Sequence, residues 1–539
     1  MFLIGIDFDN TIACYDRLFP KIATELGFVT GENIFFKSDV KEKILEKPEG
    51  DLLWQRLQGK VYGKYMLGAD IFPGFYEFLY LSKLRGHQIF IVSHKTEFGH
   101  FDEEKISLRE QALKWMQNKG IIGDSFVSIR KNDVFFESTR QEKIARIKSL
   151  ECTHFIDDLC AVLADDNFPN IHKIGFRTNF NSSQEESIAK CSSWREITNY
   201  IYKFWSEIDV VKLTTHNFPK LAIQEAHLKK GQGNSKTYKL LGSQQDYILK
   251  VYPDRQHDSR PRLETESTAY QTLFAKKYPV PESIVVDTNL GWGIYSWING
   301  KSIDKIDESF LGQAFDFLQR LLNDSRLEVE EFSKLFGEAS EACLSGAEIV
   351  RQIEQRRQRL QNVESEPVQV FFRDNFDPYL KLVTETVKNN CREFFTRSLP
   401  RSLQILSPSD FGAHNALRTE DDQFVFVDFE YFGWDDPVKL VSDFYWHPGM
   451  NLSQALKNKW INYAGKLFVD DLYFKDRLSS YLPLYGLRWC LILLNEFIPK
   501  KLQHRLHARS LSPEDIANIQ ANQLNKAERL LEQIKEMTS

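Results

Sequence analysis

The chain has 539 residues, a formal net charge of -6, 42% hydrophobic and 27% charged residues, a length that exceeds one core and predicts two or three domains. The acidic balance argues against a general nucleic-acid binder, whose affinity rests on cationic surface. The apolar run from Leu487 to Phe497 is too short and interrupted to cross a bilayer, so no membrane partner is expected.

Seven cysteines (Cys14, Cys152, Cys160, Cys191, Cys343, Cys391 and Cys490) lack metal-binding spacing and read as reduced thiols of a cytoplasmic protein. The first residues lead straight into a strand without a basic region and cleavage site, so no signal peptide is read. The basic cluster Lys500, Lys501, His504, Arg505, His507 and Arg509 reads as a solvated helix end.

The run Met1 to Thr11 is an apolar strand that ends in Asp7 and Asp9. Alternate side chains of a strand share a face, so the two carboxylates project together at the edge where open α/β sheets bind ligands. One can attack phosphorus while the other handles a proton. Taken alone, aspartates after a strand more often cap the next helix.

The following parts arrive in order, however. Helical periodicity over about eighty residues is too long for a simple crossover and predicts a small lid packed by Phe19, Ile22, Leu26, Leu52, Leu53, Trp54, Leu57, Tyr62, Tyr65 and Met66. His87 to Ser93 is a second buried strand ending in a hydroxyl. Thr139 and Glu142 read as a capping box opening a helix that carries Lys143, and His154 to Asp158 is a third strand ending in an acidic pair.

In these four motifs the first two hundred or so residues resemble the haloacid-dehalogenase-like phosphohydrolases. The resemblance implies Asp7 as a nucleophile forming an aspartyl-phosphate and Asp9 as the general acid and base. It implies Ser93 and Lys143 as phosphoryl contacts, with Arg140 a competitor for the Lys143 role. Asp157 and Asp158, with Asp7 and the backbone carbonyl of Asp9, would hold one Mg2+. So many carboxylates beside a phosphate require a cation, and oxygen-only donors favour magnesium over zinc.

After the strand Ile171 to Phe176, a serine-rich loop and an amphipathic segment from Trp194 to Trp205 close this domain, giving boundaries of 1–207 with a cap over about 13–85. From about residue 208 a second phosphoryl-transfer pattern begins. Gly231, Gly233, Asn234 and Ser235 form a turn between strands, where missing side chains let backbone N–H groups approach phosphates. Lys250 sits at the centre of the strand Tyr247 to Tyr252, and Glu266, with Glu264 as rival, lies on the helix after it. A strand lysine paired with a helix glutamate is the kinase arrangement for holding nucleotide phosphates.

Ser407 to Leu417 contains Asp410 and Asn415 at catalytic-loop spacing, and Asp428 ends an apolar strand shortly after. Asp410 can orient or deprotonate a hydroxyl, while Asn415 and Asp428 hold Mg2+ against ATP phosphates. Residues from about 208 to 539 resemble the aminoglycoside phosphotransferase and choline kinase family, with lobes over about 208–300 and 301–539. Asp435, Asp436, Pro437 and Asp443 extend the match. One departure is plain: where the family commonly has His-Gly-Asp, this chain has Pro408-Ser409-Asp410.

The fold class expected is therefore an α/β Rossmann-like domain with a helical cap, followed by an α+β bilobal protein-kinase-like domain. The function expected is a bifunctional Mg2+- and ATP-dependent enzyme, a phosphatase fused to a kinase for a small molecule, with a sugar or sugar phosphate as leading substrate. Trp434, Tyr445, Trp446, His447, Arg488 and Trp489 are candidate sugar contacts, with core packing the default for the aromatics. Three alternatives stand beside it: two opposed activities on one compound forming a switch, a phosphatase regulated by a nucleotide-binding pseudokinase, or a nucleic-acid end-repair pair. The acidic balance disfavours the last.

Overall fold

The computed structural model describes residues 1–30, 36–99, 104–177, 187–202, 205–229, 235–253, 258, 260–498 and 513–538. The predicted site residues Gly231, Gly233 and Asn234 and the basic cluster at 500–509 lie outside them. The chain forms two compact units, 1–259 with 287–294 and 260–286 with 295–539.

The first unit is built on six strands: β1 (Leu3–Ile6), β2 (Gln88–His94), β3 (Val134–Glu137), β4 (His154–Asp157), β5 (His172–Phe176) and β6 (Ile188–Cys191), in spatial order β3-β2-β1-β4-β5-β6. All of these pairs run parallel. A parallel sheet is covered on both faces, which is why β1 and β2 are near-continuous apolar runs. Gly5 has a steric role: a Cβ there would stand 2.5 Å from the Phe155 ring.

The order reverses around β1, which has β2 on one side and β4 on the other. That is the crevice where doubly wound sheets bind ligands. Between β1 and β2 lie the helices Leu18–Glu25, Lys37–Leu45 and Gly50–Tyr62. Their core includes Phe19 stacked on Trp54 at 5.2 Å, with Ile22, Leu57 and Val61 buried beside them. The next helix, Phe75–Leu84, instead packs Phe75 and Phe78 on Trp194.

This unit continues past residue 207. Arg85 pairs with Asp209 at 3.0 Å, Trp205 Nε1 donates to Glu77 at 2.8 Å, and Tyr238 donates to the Trp205 carbonyl at 3.2 Å. Those contacts gather the antiparallel strands β7 (Ile223–Lys229), β8 (Lys236–Gly242) and β9 (Tyr247–Val251) into the same compact body.

The second unit is mainly helical among the described residues. The long helices Glu308–Leu327 and Phe474–Leu493 bury wide apolar faces. Two short antiparallel sheets position the chemistry. β10 (Ile405–Ser407) pairs with Gly433–Asp435, and Ala416–Thr419 pairs with Phe424–Phe426. Phe310, Phe317, Phe411, Phe426 and Phe444 form one cluster of ring contacts.

Candidate active sites

In the first unit the Asp7 amide donates to the Ile156 carbonyl at 2.9 Å, so the chain is still paired to β4 when it reaches the carboxylate. Asp7, Asp157 and Asp158 then bring one oxygen each within 4.8 Å of one another. The turn after Asp9 closes on Asn10, whose φ is +58°, with Ile12 and Ala13 both donating to the Phe8 carbonyl. Asparagine tolerates this left-handed geometry better than most residues.

Lys143 arrives from the helix Arg140–Ser149, whose Thr139 and Glu142 form the predicted capping box. Its ammonium lies 2.6 Å from Asp7 and 2.7 Å from Asp157, almost fully buried. Arg140, the competitor, is exposed on the first turn. Ser93 is buried on β2, in register with Phe136. Asp157 also accepts from the Leu159 amide at 2.9 Å.

Crowding of charge shifts these groups. Burial, reinforced by the Asp157 charge and resisted by Lys143, pushes the Asp7 carboxyl up to about 7. Burial and the charges of Asp7 and Asp157 push Asp158 well above the usual carboxylate range. Burial alone would discharge Lys143, but Asp157 and Asp7 outweigh it and raise its pKa. A cluster of oxygen donors that repel one another fits a hard divalent cation.

Two contacts of Asp9 lie beyond the sequence reading. Lys95 Nζ stands 2.7 Å from Asp9 Oδ2, and the Tyr15 hydroxyl donates to Asp9 Oδ1. Lys95 follows the predicted Ser93 by two residues, and this position at the end of a buried strand was the available signal. Tyr15 carried none, because its contact depends on how the insert folds back.

In the second unit the carbonyl of Asp410 accepts from Asn415 Nδ2 at 2.9 Å, which leaves Asn415 Oδ1 as a donor for a cation. The Val427 amide donates to the Asn415 carbonyl at 2.9 Å, placing Asp428 immediately after that link. Asp410 Oδ1 lies 2.9 Å from His414 Nε2 and 3.9 Å from His447 Nε2. The two imidazoles stack at 3.9 Å. Burial would raise the Asp410 carboxyl, yet His414, His447 and Asn415 bring it down to about 2. Burial, with the His414 charge, lowers His447 to about 4.

Asp428 has a φ of +68°. Its amide donates to the Tyr270 hydroxyl at 2.8 Å, while Glu266 Oε1 accepts from that hydroxyl at 2.9 Å and from the Phe429 amide at 3.2 Å. Glu266 thus fixes the turn that presents Asp428, and Glu266, Asp428 and Glu430 each bring an oxygen within 4.8 Å. Glu430 is in turn paired with Arg262. This all-oxygen set fits Mg2+.

Lys250 belongs to the first unit, opposite Thr237 in register, with its ammonium 5.1 Å from the Tyr252 ring centroid. Ser235 stands just ahead of β8, and its buried hydroxyl has no hydrogen-bond partner among the described residues. An orphaned donor of this kind fits a phosphate oxygen. The sugar-contact candidates are mostly structural: Trp434 and Trp446 are buried, and Arg488 is committed to Asp443 and Glu341.

Residues 227–464 match the model of the phosphotransferase enzyme family, APH. The segment 227–464 is thus similar to that phosphotransferase family. No curated protein matches the chain. Among solved structures, the chain is similar to a choline kinase from Streptococcus pneumoniae at 11% identity and a TM-score of 0.40, covering 60% of this chain and 98% of that one. An ethanolamine kinase from Plasmodium vivax is similar at 15% identity and a TM-score of 0.41, with 62% and 93% covered. A choline kinase from Cryptosporidium parvum gives 8% and 0.41, with 61% and 96% covered. Among the described residues no helix is long and apolar enough to cross a membrane.

Proposed function

We propose that the chain is a bifunctional enzyme whose halves, 1–207 and 208–539, act on phosphate esters in different ways. The C-terminal half transfers the γ-phosphoryl group of ATP to a hydroxyl of a small molecule. The observation that supports this reading is the linkage Asp410–Asn415–Val427, which ties the Asp410 loop to the strand leading into Asp428 inside the family-matched segment. Asp410, with its carboxyl held low, orients the acceptor hydroxyl as an ionised hydrogen-bond acceptor. Asn415 and Asp428 would hold Mg2+, which when bound offsets charge on the ATP phosphates. Ser235 and Lys250 would contact those phosphates, with Gly231, Gly233 and Asn234 supplying backbone to them.

The N-terminal half is proposed as a haloacid-dehalogenase-like phosphatase. The clustering of Asp7, Asp157 and Asp158, with Lys143 paired to the first two, supports it. Asp7 attacks phosphorus as the ester oxygen leaves with a proton from Asp9; Asp9 then takes a proton from the water that cleaves the aspartyl-phosphate. Lys95 and Tyr15 aim Asp9 for both transfers. Asp7, Asp157 and Asp158 would hold Mg2+, which relieves their mutual repulsion. Ser93 and Lys143 would steady the transferring oxygens.

A sugar or sugar phosphate handled by both halves in a cytoplasmic pathway is the substrate class proposed. Screening free sugars and sugar phosphates with the full chain, and with Asp7→Asn and Asp410→Asn separately, tests it. Each variant should silence one half, and the compound still consumed reports the other. If neither variant changes any turnover, the reading fails.

A further inference from the structure

The loop that carries Asp410 has no histidine two residues ahead of it; Pro408 stands there. Its backbone is also unusual, because Ser409 has a φ of +66°. A residue with a Cβ pays about 1–2 kcal/mol in that left-handed region and keeps it only where neighbours over-determine it. The next residue is Asp410, so any relaxation at Ser409 swings the carboxylate.

Lys439 supplies the fixing contact. It lies on the helix Pro437–Trp446, whose start is capped by the Asp436 side chain accepting from the Val438 amide. Its side chain is 1% exposed, with the ammonium 3.0 Å from Asp435 Oδ2 and 3.3 Å from Asp443 Oδ2. It donates to Ser409 Oγ at 3.1 Å. Asp435 belongs to the strand paired with β10, whose Ser407 hydroxyl accepts from the Ser409 amide at 3.0 Å. Strand, loop and helix therefore close on one dry ammonium.

Two carboxylates already neutralise that ammonium, and Asp443 is further paired with Arg488. The bond to Ser409 adds direction to a charge that is balanced without it. His414 touches the Asp410 carboxylate from an exposed position, where water competes for the same oxygen. The buried contact to Ser409 has no such competitor.

We propose that Lys439 is the positioning residue of the phosphoryl-transfer site, fixing the Asp410 loop through the Ser409 hydroxyl. The proposal rests on the kinase reading above. Ser409→Ala tests it in the full chain, because it removes only the acceptor and leaves the ion pairs of Lys439 intact. With MgATP and water as acceptor, kcat should fall about tenfold while KM for MgATP stays within about twofold, the signature of misplacement rather than lost binding. Amide hydrogen exchange over residues 408–415 should accelerate about tenfold, with exchange elsewhere and the melting temperature unchanged. If Lys439→Met folds, adding Ser409→Ala to it should cost nothing more.

Unchanged exchange over 408–415 together with unchanged kcat in Ser409→Ala would overturn the proposal. Asp410→Asn separates the two levels of the argument. If ATP turnover survives that change, the kinase reading falls, and the exchange measurement still decides whether Lys439 holds the loop.

Discussion

The two acidic centres differ in how their key carboxylate is held. Asp7 is buried beside other carboxylates and one lysine, and its carboxyl rises to about 7. Asp410 is two-fifths exposed at its side chain, flanked by two imidazoles, and its carboxyl drops to about 2. A carboxylate whose charge is compressed among others is suited to receive a cation and a phosphoryl group. One kept ionised by hydrogen bonds is suited to orient a hydroxyl. The same side chain thus shifts in opposite directions because burial wins in one place and hydrogen bonding in the other.

The comparison is broken most severely at the proposed nucleophile. Asp7→Asn should lower phosphomonoester hydrolysis by about 10^3-fold or more, since no covalent route remains. Phosphate release from a chromogenic ester measures it. At the other centre Asp428→Asn should lower ATP turnover about 10^2- to 10^3-fold by weakening the cation site. Coupled ADP detection measures that loss, and ester hydrolysis should stay within about twofold. A smaller effect is expected from Lys95→Met, which frees the Asp9 carboxylate; hydrolysis should fall about tenfold, with KM little changed.

Packing provides a further contrast. Leu57→Ala in the three-helix insert should cost about 2–5 kcal/mol by opening a cavity beside Phe19 and Trp54, read by urea denaturation. The smallest effect is electrostatic. Burial would raise the Glu341 carboxyl, but Arg356 and Arg488 outweigh it and hold it at about 2 against an ordinary 4.5. A depressed folded value stabilises above the unfolded one, so this contribution is present above about pH 4.5 and disappears as pH falls toward 2. Because the carboxylate is 42% exposed, it should amount to about 1 kcal/mol or less, measured as the acid-side difference from Glu341→Gln.

Local patterns were the legible ones. Thr139 and Glu142 announce a helix start by their spacing, and that start carries Lys143 to the acidic cluster. Asp410, Asn415 and Asp428 sit on one short stretch, where a tight loop leads into a hairpin. The sequence reading left open whether Lys143 or Arg140 turns inward, because adjacent turns of one helix offer both. Lys439 was invisible for a different reason. A lysine inside an amphipathic helix reads as solvent-facing, and only the return of β10 beside Gly433–Asp435 brings carboxylates and Ser409 around it. Tyr15 and Lys95 belong to the same class: their partner lies nearby in space through a fold that no local period encodes.

The claim that two independent centres share this chain is tested most directly by following ester hydrolysis and ATP turnover together in Asp7→Asn and Asp410→Asn. The account predicts reciprocal loss, with each variant keeping the activity that the other lacks. Loss of both activities in either variant, or of neither, would contradict it.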